Sequence, residues 1–122
     1  MFFALLVGHA IADFPLQAGP MATEKCRRST SALQTAVPWY YWLTAHAFIH
    51  GGFVGWLTGS VTLGLLETVI HWFIDFGKCE KWFGIHVDQG LHVACKVLWC
   101  VLISPGVAGD LDAHWPSFMR IR

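Results

Sequence analysis

Four apolar stretches divide the chain, at about residues 2–18, 37–58, 61–77 and 88–108, with polar and charged residues gathered between them. Each approaches the ~17–25 residues that a spanning helix needs, although two are short. Breakers mark their edges: Pro20 follows the first, Pro38 opens the second, Thr58-Gly59-Ser60 parts the second from the third, and Pro105-Gly106 closes the fourth. The tight second connection makes the middle stretches an antiparallel hairpin, and an even number of spans returns both termini to one side. The pattern predicts an all-α integral membrane protein, a four-transmembrane-helix bundle with short loops over residues 1–108, followed by a polar tail at 109–122. Residues 20–36 read as a polar segment able to form a short interfacial helix. The opening MFFALLVGHAIADF has no basic leader, and His9 and Asp13 interrupt its apolar run, so it is expected to persist as a helix rather than serve as a signal.

Composition strengthens the membrane reading. Of 122 residues, 55% are apolar and 13% charged, against about a quarter charged in soluble domains. The formal net charge is zero, with no basic block, which excludes nucleic-acid binding driven by electrostatics. Lys25, Arg27, Arg28, Lys78 and Lys81 fall in the first and third connections, whereas the other side holds Arg120 and Arg122. The positive-inside rule therefore places loops 1 and 3 in the cytoplasm of a bacterial inner-membrane protein, with both termini opposite, and Trp39, Trp42 and Trp82 fit an aromatic belt there. Cys26, Cys79, Cys95 and Cys100 form no C-x-x-C pair, and all four are read as reduced.

Against this background one spacing recurs on every span: His9 and Asp13, His46 and His50, Glu67, His71 and Asp75, then Asp88 and His92, each four residues apart. Residues four apart share a helix face, and Gln17 extends the first stripe. Depth counting puts His9, His46 and His71 in one layer and Asp13, Asp75 and His92 one turn nearer the cytoplasm, with Glu67 and His50 deeper and Asp88 at the mouth. An ionisable group at a bilayer centre costs ~2.5–3.5 kcal/mol on the lenient scale, so these residues must face one another. Each alone is most simply a hydrogen-bonded core residue. Together, imidazoles and carboxylates suit a divalent metal, Zn foremost with Mn or Fe as alternatives, as one or two ions and by preference two. The expected ligands are His9, Asp13, His46, His50, His71, Asp75 and His92. Glu67 or Asp88 is the expected general base, and Gln17 and Gln89 are placed to orient water or substrate. Lys78 and Lys96 continue two stripes and could hold a substrate anion, although snorkelling or pairing with a carboxylate is the plainer role. Asp110, Asp112 and His114 are read as part of a solvated tail, His86 as a loop residue, and Gly51, Gly52 and Gly55 as allowing close helix approach.

The segments H-A-I-A-D-F-P-L-Q, H-A-F-I-H-G, H-W-F-I-D-F-x-K and D-Q-G-L-H resemble a family of small bacterial and phage membrane proteins, domain of unknown function 3307, over most of the chain to about residue 105. Carried over, that resemblance selects His9, Asp13, Gln17, His46, His50, His71, Asp75, Asp88, Gln89 and His92. A looser similarity links the chain to inner-membrane proteins described as metal-dependent hydrolases. The resulting expectation is a metal-dependent hydrolase acting on a lipid or other membrane-associated phosphoester or acyl substrate at the cytoplasmic leaflet. The alternatives are a metal-ion or proton transporter or channel, which would need a homo-oligomer, and a non-enzymatic membrane interaction protein.

Overall fold

Six helices form among the described residues, 1–103, of the computed structural model: α1 (Phe2–Asp13), α2 (Pro20–Glu24), α3 (Leu33–Ala36), α4 (Trp39–Thr58), α5 (Val61–Cys79) and α6 (Ile85–Leu102). The end of the fourth apolar stretch, the tail at 109–122 and Asp110, Asp112 and His114 lie outside them. Four helices answer to the four stretches, with shifted ends. α1 stops at Asp13 rather than 18 because Pro15 has no N–H to continue the ladder, and the Leu16 N–H reaches back to the Ile11 carbonyl at 3.1 Å. α6 starts before residue 88, so His86 sits exposed in its first turn rather than in a loop.

The central unit is the α4–α5 hairpin. Gly59 takes the left-handed conformation that ends α4 (φ 72°), and Ser60 caps α5 by accepting a hydrogen bond from the Leu63 N–H at 3.2 Å. The two helices then meet backbone to backbone: a Cβ on Gly51 would overlap the Thr68 hydroxyl and the Gly64 carbonyl, and one on Gly64 would lie 2.8 Å from the Gly51 oxygen and 3.1 Å from the Gly55 Cα. Gly52, on the outer side, would meet nothing.

α1 and α6 complete the bundle around an interior that inverts the usual distribution. A small apolar core of Leu5, Val54, Leu63 and Trp99 occupies one end. Most of the remaining interior is ionisable, while Trp56 (68% exposed) and Phe73 (64%) stand on the surface. Val69 is exposed beside Phe73, with Ile70 and Ile74 half-buried.

No described helix is long and apolar enough to cross a membrane. For α1 the shortfall includes length, at 12 residues. α4, α5 and α6, at 20, 19 and 18 residues, are each ~27–30 Å long at ~1.5 Å per residue, and the polar stripe is what lowers their mean hydropathy.

The cysteine expectation is corrected. Cys26 and Cys79 form a disulfide across 53 residues of chain, while Cys95 and Cys100 remain free and half-buried. Pairing depends on the first loop folding back over the end of α5, which residue spacing alone does not reveal. Beside the disulfide, Arg27 donates to both carboxylate oxygens of Glu80 at 2.6 and 2.7 Å, and Arg28 adds a third contact at 3.2 Å. The Arg27 hydrogen bonds hold the Glu80 carboxyl below its ordinary pKa.

Candidate metal centre

Helical phase builds the site. The four-residue spacing puts His9 and Asp13 of α1, His46 and His50 of α4, Glu67, His71 and Asp75 of α5, and Asp88, His92 and Lys96 of α6 on inward faces. The expected layers merge into one cluster because His50 reaches Asp13. The Asp13 carboxylate lies 3.2 Å from His50 Nε2 and 3.4 Å from His46 Nε2, and it accepts from the Gln89 amide at 2.9 Å. His46 Nε2 in turn lies 3.2 Å from His71 Nε2 and 3.3 Å from Asp75. His92 Nε2 sits between Asp75 at 3.3 Å and Asp88 at 3.5 Å. The rings of His50, His71 and His92 stack, with centroids 3.6 and 4.2 Å apart.

Two groups of candidate ligand atoms result, each with all members within 4.8 Å of one another: Asp13, His46, His50 and His71, and then His71, Asp75 and His92. Six of the seven expected ligands are thus brought together. His9 belongs to neither group. Its Nδ1 lies 3.4 Å from that of His50, and its Nε2 meets the Gln89 oxygen at 3.2 Å and Asp13 at 3.3 Å, so it braces the site from one side.

The two expected bases separate. Glu67 lies at the closed end, bonded to the Lys96 ammonium and the Trp99 indole N–H and 3.4 Å from His71 Nδ1. The Lys96 and Trp99 hydrogen bonds occupy both of its oxygens. Asp88 lies at the mouth, 3.4 Å from Lys78, and its Oδ1 makes no hydrogen bond among the described residues. The Lys78 and Lys96 ammoniums therefore both pair with carboxylates of the bundle.

Sequence reasoning missed Lys25. It is buried, and its ammonium bonds both the Asp75 carboxylate and the Gln17 amide oxygen, so it closes the site from the loop side. Its signal was faint, a lone lysine within the polar PMATEKC run. The partnership of Trp99 with Glu67 was equally hidden, because periodicity gives a helix its face and not the residue opposite.

Buried ring nitrogens His46 Nδ1, His71 Nδ1 and His92 Nδ1 also make no hydrogen bond among the described residues. Unmet buried polar groups cost ~1–3 kcal/mol each, and a cluster tolerating them is not arranged for stability alone.

A family model described as a protein of unknown function (DUF3307) matches residues 1–109, reaching slightly further along the chain than the motifs suggested. No curated protein and no solved structure matches.

Proposed function

From the premise that the chain belongs to the DUF3307 family, whose description assigns no activity, we propose that it is a membrane-embedded, divalent-metal-binding hydrolase. The observation that carries the metal reading is the spacing of the first group of donors. A tetrahedral zinc ion with bonds of ~2.0–2.1 Å sets its ligands about 3.3 Å apart. Three of the six separations in the group come close to that, His46 Nε2 to His71 Nε2 at 3.2 Å, His50 Nε2 to Asp13 at 3.2 Å and His46 Nε2 to Asp13 at 3.4 Å, and all its ligand atoms lie within 4.8 Å of one another. Imidazole with carboxylate suits Zn foremost, with Mn and Fe following.

One ion is the better reading. The second group shares His71 with the first, and its Asp75 already carries the Lys25 ammonium. When bound, the ion would supply a water acidified to a pKa of roughly 7 and would polarise a phosphoryl or acyl oxygen. His92, flanked by Asp75 and Asp88, is the imidazole placed to take up a proton. Gln89 holds Asp13, and Glu67 lies 3.4 Å from His71 Nδ1 on the side away from the donors.

Membrane embedding is supported by the inverted distribution: His46, His71 and Asp88 are fully buried, while a large set of aromatic and aliphatic side chains is exposed. A proton or metal relay is the second reading, favoured by the column of His50, His71 and His92 rings, which has Asp13 at its His50 end and Asp88 at its His92 end.

The deciding experiment is elemental analysis of detergent-purified protein never exposed to chelator, followed by assays on lipid, phosphoester and acyl-ester panels. One ion per chain is expected, falling to under a tenth in His71→Ala and Asp13→Ala, with hydrolysis lost in parallel. A protein without stoichiometric metal would end the hydrolase reading; metal-dependent flux in liposomes without hydrolysis would favour the relay.

A further inference from the structure

On the far side of Lys25 from the cluster lies a cleft of about 580 Å³ whose lining includes Gln17, Lys25, Arg28, Ser29, Lys78 and Lys81 and contains no acidic residue. Four cations therefore face one space. They come from two segments, 25–29 and 78–81, which the Cys26–Cys79 disulfide holds side by side. The carboxylates that neutralise these cations stand behind them rather than in the cleft: Asp75 under Lys25, Asp88 under Lys78, and Glu80 beside Arg28.

The charge in the cleft is not fully spent. Arg28 uses one guanidinium nitrogen on Glu80, and Lys81 has no ion-pair partner among the described residues. Lys81 also adopts a left-handed backbone (φ 63°), rare for a side chain of its size. Lys25, at the floor, is 3% exposed and touches Asp75 directly, so the cleft and the candidate metal centre share a wall.

We infer that this cleft binds the phosphoryl group of the substrate. Several cations converging with an amide and a hydroxyl suit a group that carries more than one negative charge and offers three acceptor oxygens, which a carboxylate does not. The volume also exceeds what a phosphate group fills, leaving room for the molecule that bears it. Two sources share this chemistry, a phosphomonoester lipid headgroup such as that of phosphatidic acid and a water-soluble phosphomonoester. The inference deepens the proposed hydrolase and rests on that reading for the reaction, though the binding itself does not require it.

The test is calorimetric titration of the full chain in detergent with inorganic phosphate at fixed ionic strength, with metal content measured on the same sample. One saturable site per chain is expected. Arg28→Gln/Lys81→Gln, which changes two exposed residues outside the donor cluster, should weaken binding at least tenfold while keeping both the metal content and the melting temperature. Phosphate binding without stoichiometric metal would support the cleft and sink the hydrolase. Stoichiometric metal without phosphate binding would overturn the cleft alone. Equal binding by the double variant would also overturn it, assigning the phosphate to another site. In nanodiscs, a drop in apparent phosphate affinity when phosphatidic acid is mixed into phosphatidylcholine identifies the headgroup as occupant. An unchanged affinity identifies the soluble phosphoester.

Discussion

Glu67 and Lys96 form an ion pair sealed from solvent, each 1% exposed, with the Trp99 indole as the third member. Removing one partner of such a pair strands the other charge, at a cost of ~3–5 kcal/mol, whereas replacing both can be close to neutral. Glu67→Gln and Lys96→Met should therefore each lower the unfolding free energy by about that amount, and the double variant should lose far less than their sum. Denaturant titration in detergent checks this, and additive losses would show that the pair is not coupled. At this scale the sequence was a good guide to which residues face inward. The stripe residues on α4, α5 and α6 and His9 of α1 are buried as the four-residue spacing required, while Asp13, at the end of α1, is only partly so. What it could not supply was partners. Lys25 meeting Asp75 and Trp99 meeting Glu67 depend on how whole helices and a loop are turned towards each other, and no local period encodes that.

At the level of elements, the α4–α5 hairpin is the wall on which four of the six grouped donors stand, since it carries His46, His50, His71 and Asp75. Its close approach rests on Gly51 meeting Gly64. Gly51→Ala and Gly64→Ala must push backbone apart, with an expected loss of ~1–3 kcal/mol. Gly52→Ala, on the open side, should be neutral or raise stability, by up to ~1 kcal/mol from helix propensity. Thermal melts of the three variants decide the matter, and equal effects would mean that the hairpin does not pack through these glycines. The glycine run was visible in the sequence, but which of its members faced α5 was settled only by the helix's rotation. The ends of helices were legible where a breaker acts directly, as at Gly59 and Ser60, and less so where the chain continues beyond a proline, as after Pro15.

For the molecule as a whole, the inverted interior predicts contact with lipid. Tryptophan fluorescence of protein reconstituted in brominated phosphatidylcholine should be quenched, and Trp56→Phe should reduce the quenched fraction. Unquenched emission would place the exposed apolar surface against another protein instead. Sidedness is a separate question on which two features disagree. The basic loops read as cytoplasmic, yet the Cys26–Cys79 bond joins those same loops and disulfides persist in oxidising compartments. Arg27 and Arg28 are held by Glu80, and Lys25 and Lys78 by Asp75 and Asp88, so the folded mouth presents less free charge than a residue count suggests. The disulfide is the stronger clue. A Trp82→Cys variant should react with a membrane-impermeant maleimide in intact cells, and reaction only after lysis would restore the cytoplasmic assignment.

Cross-helix charge pairing also constrains how the protein is made. Glu67 emerges from the ribosome before its counter-ion Lys96, and Asp13 long before His46 and His50. In the proposed membrane setting, neither α1 nor α5 could be handed to lipid alone without exposing an unpaired carboxylate. Biogenesis under that proposal would shelter α1 and α5 until α6 arrives, so that the last of the described helices is the one that makes the earlier ones tolerable in a bilayer.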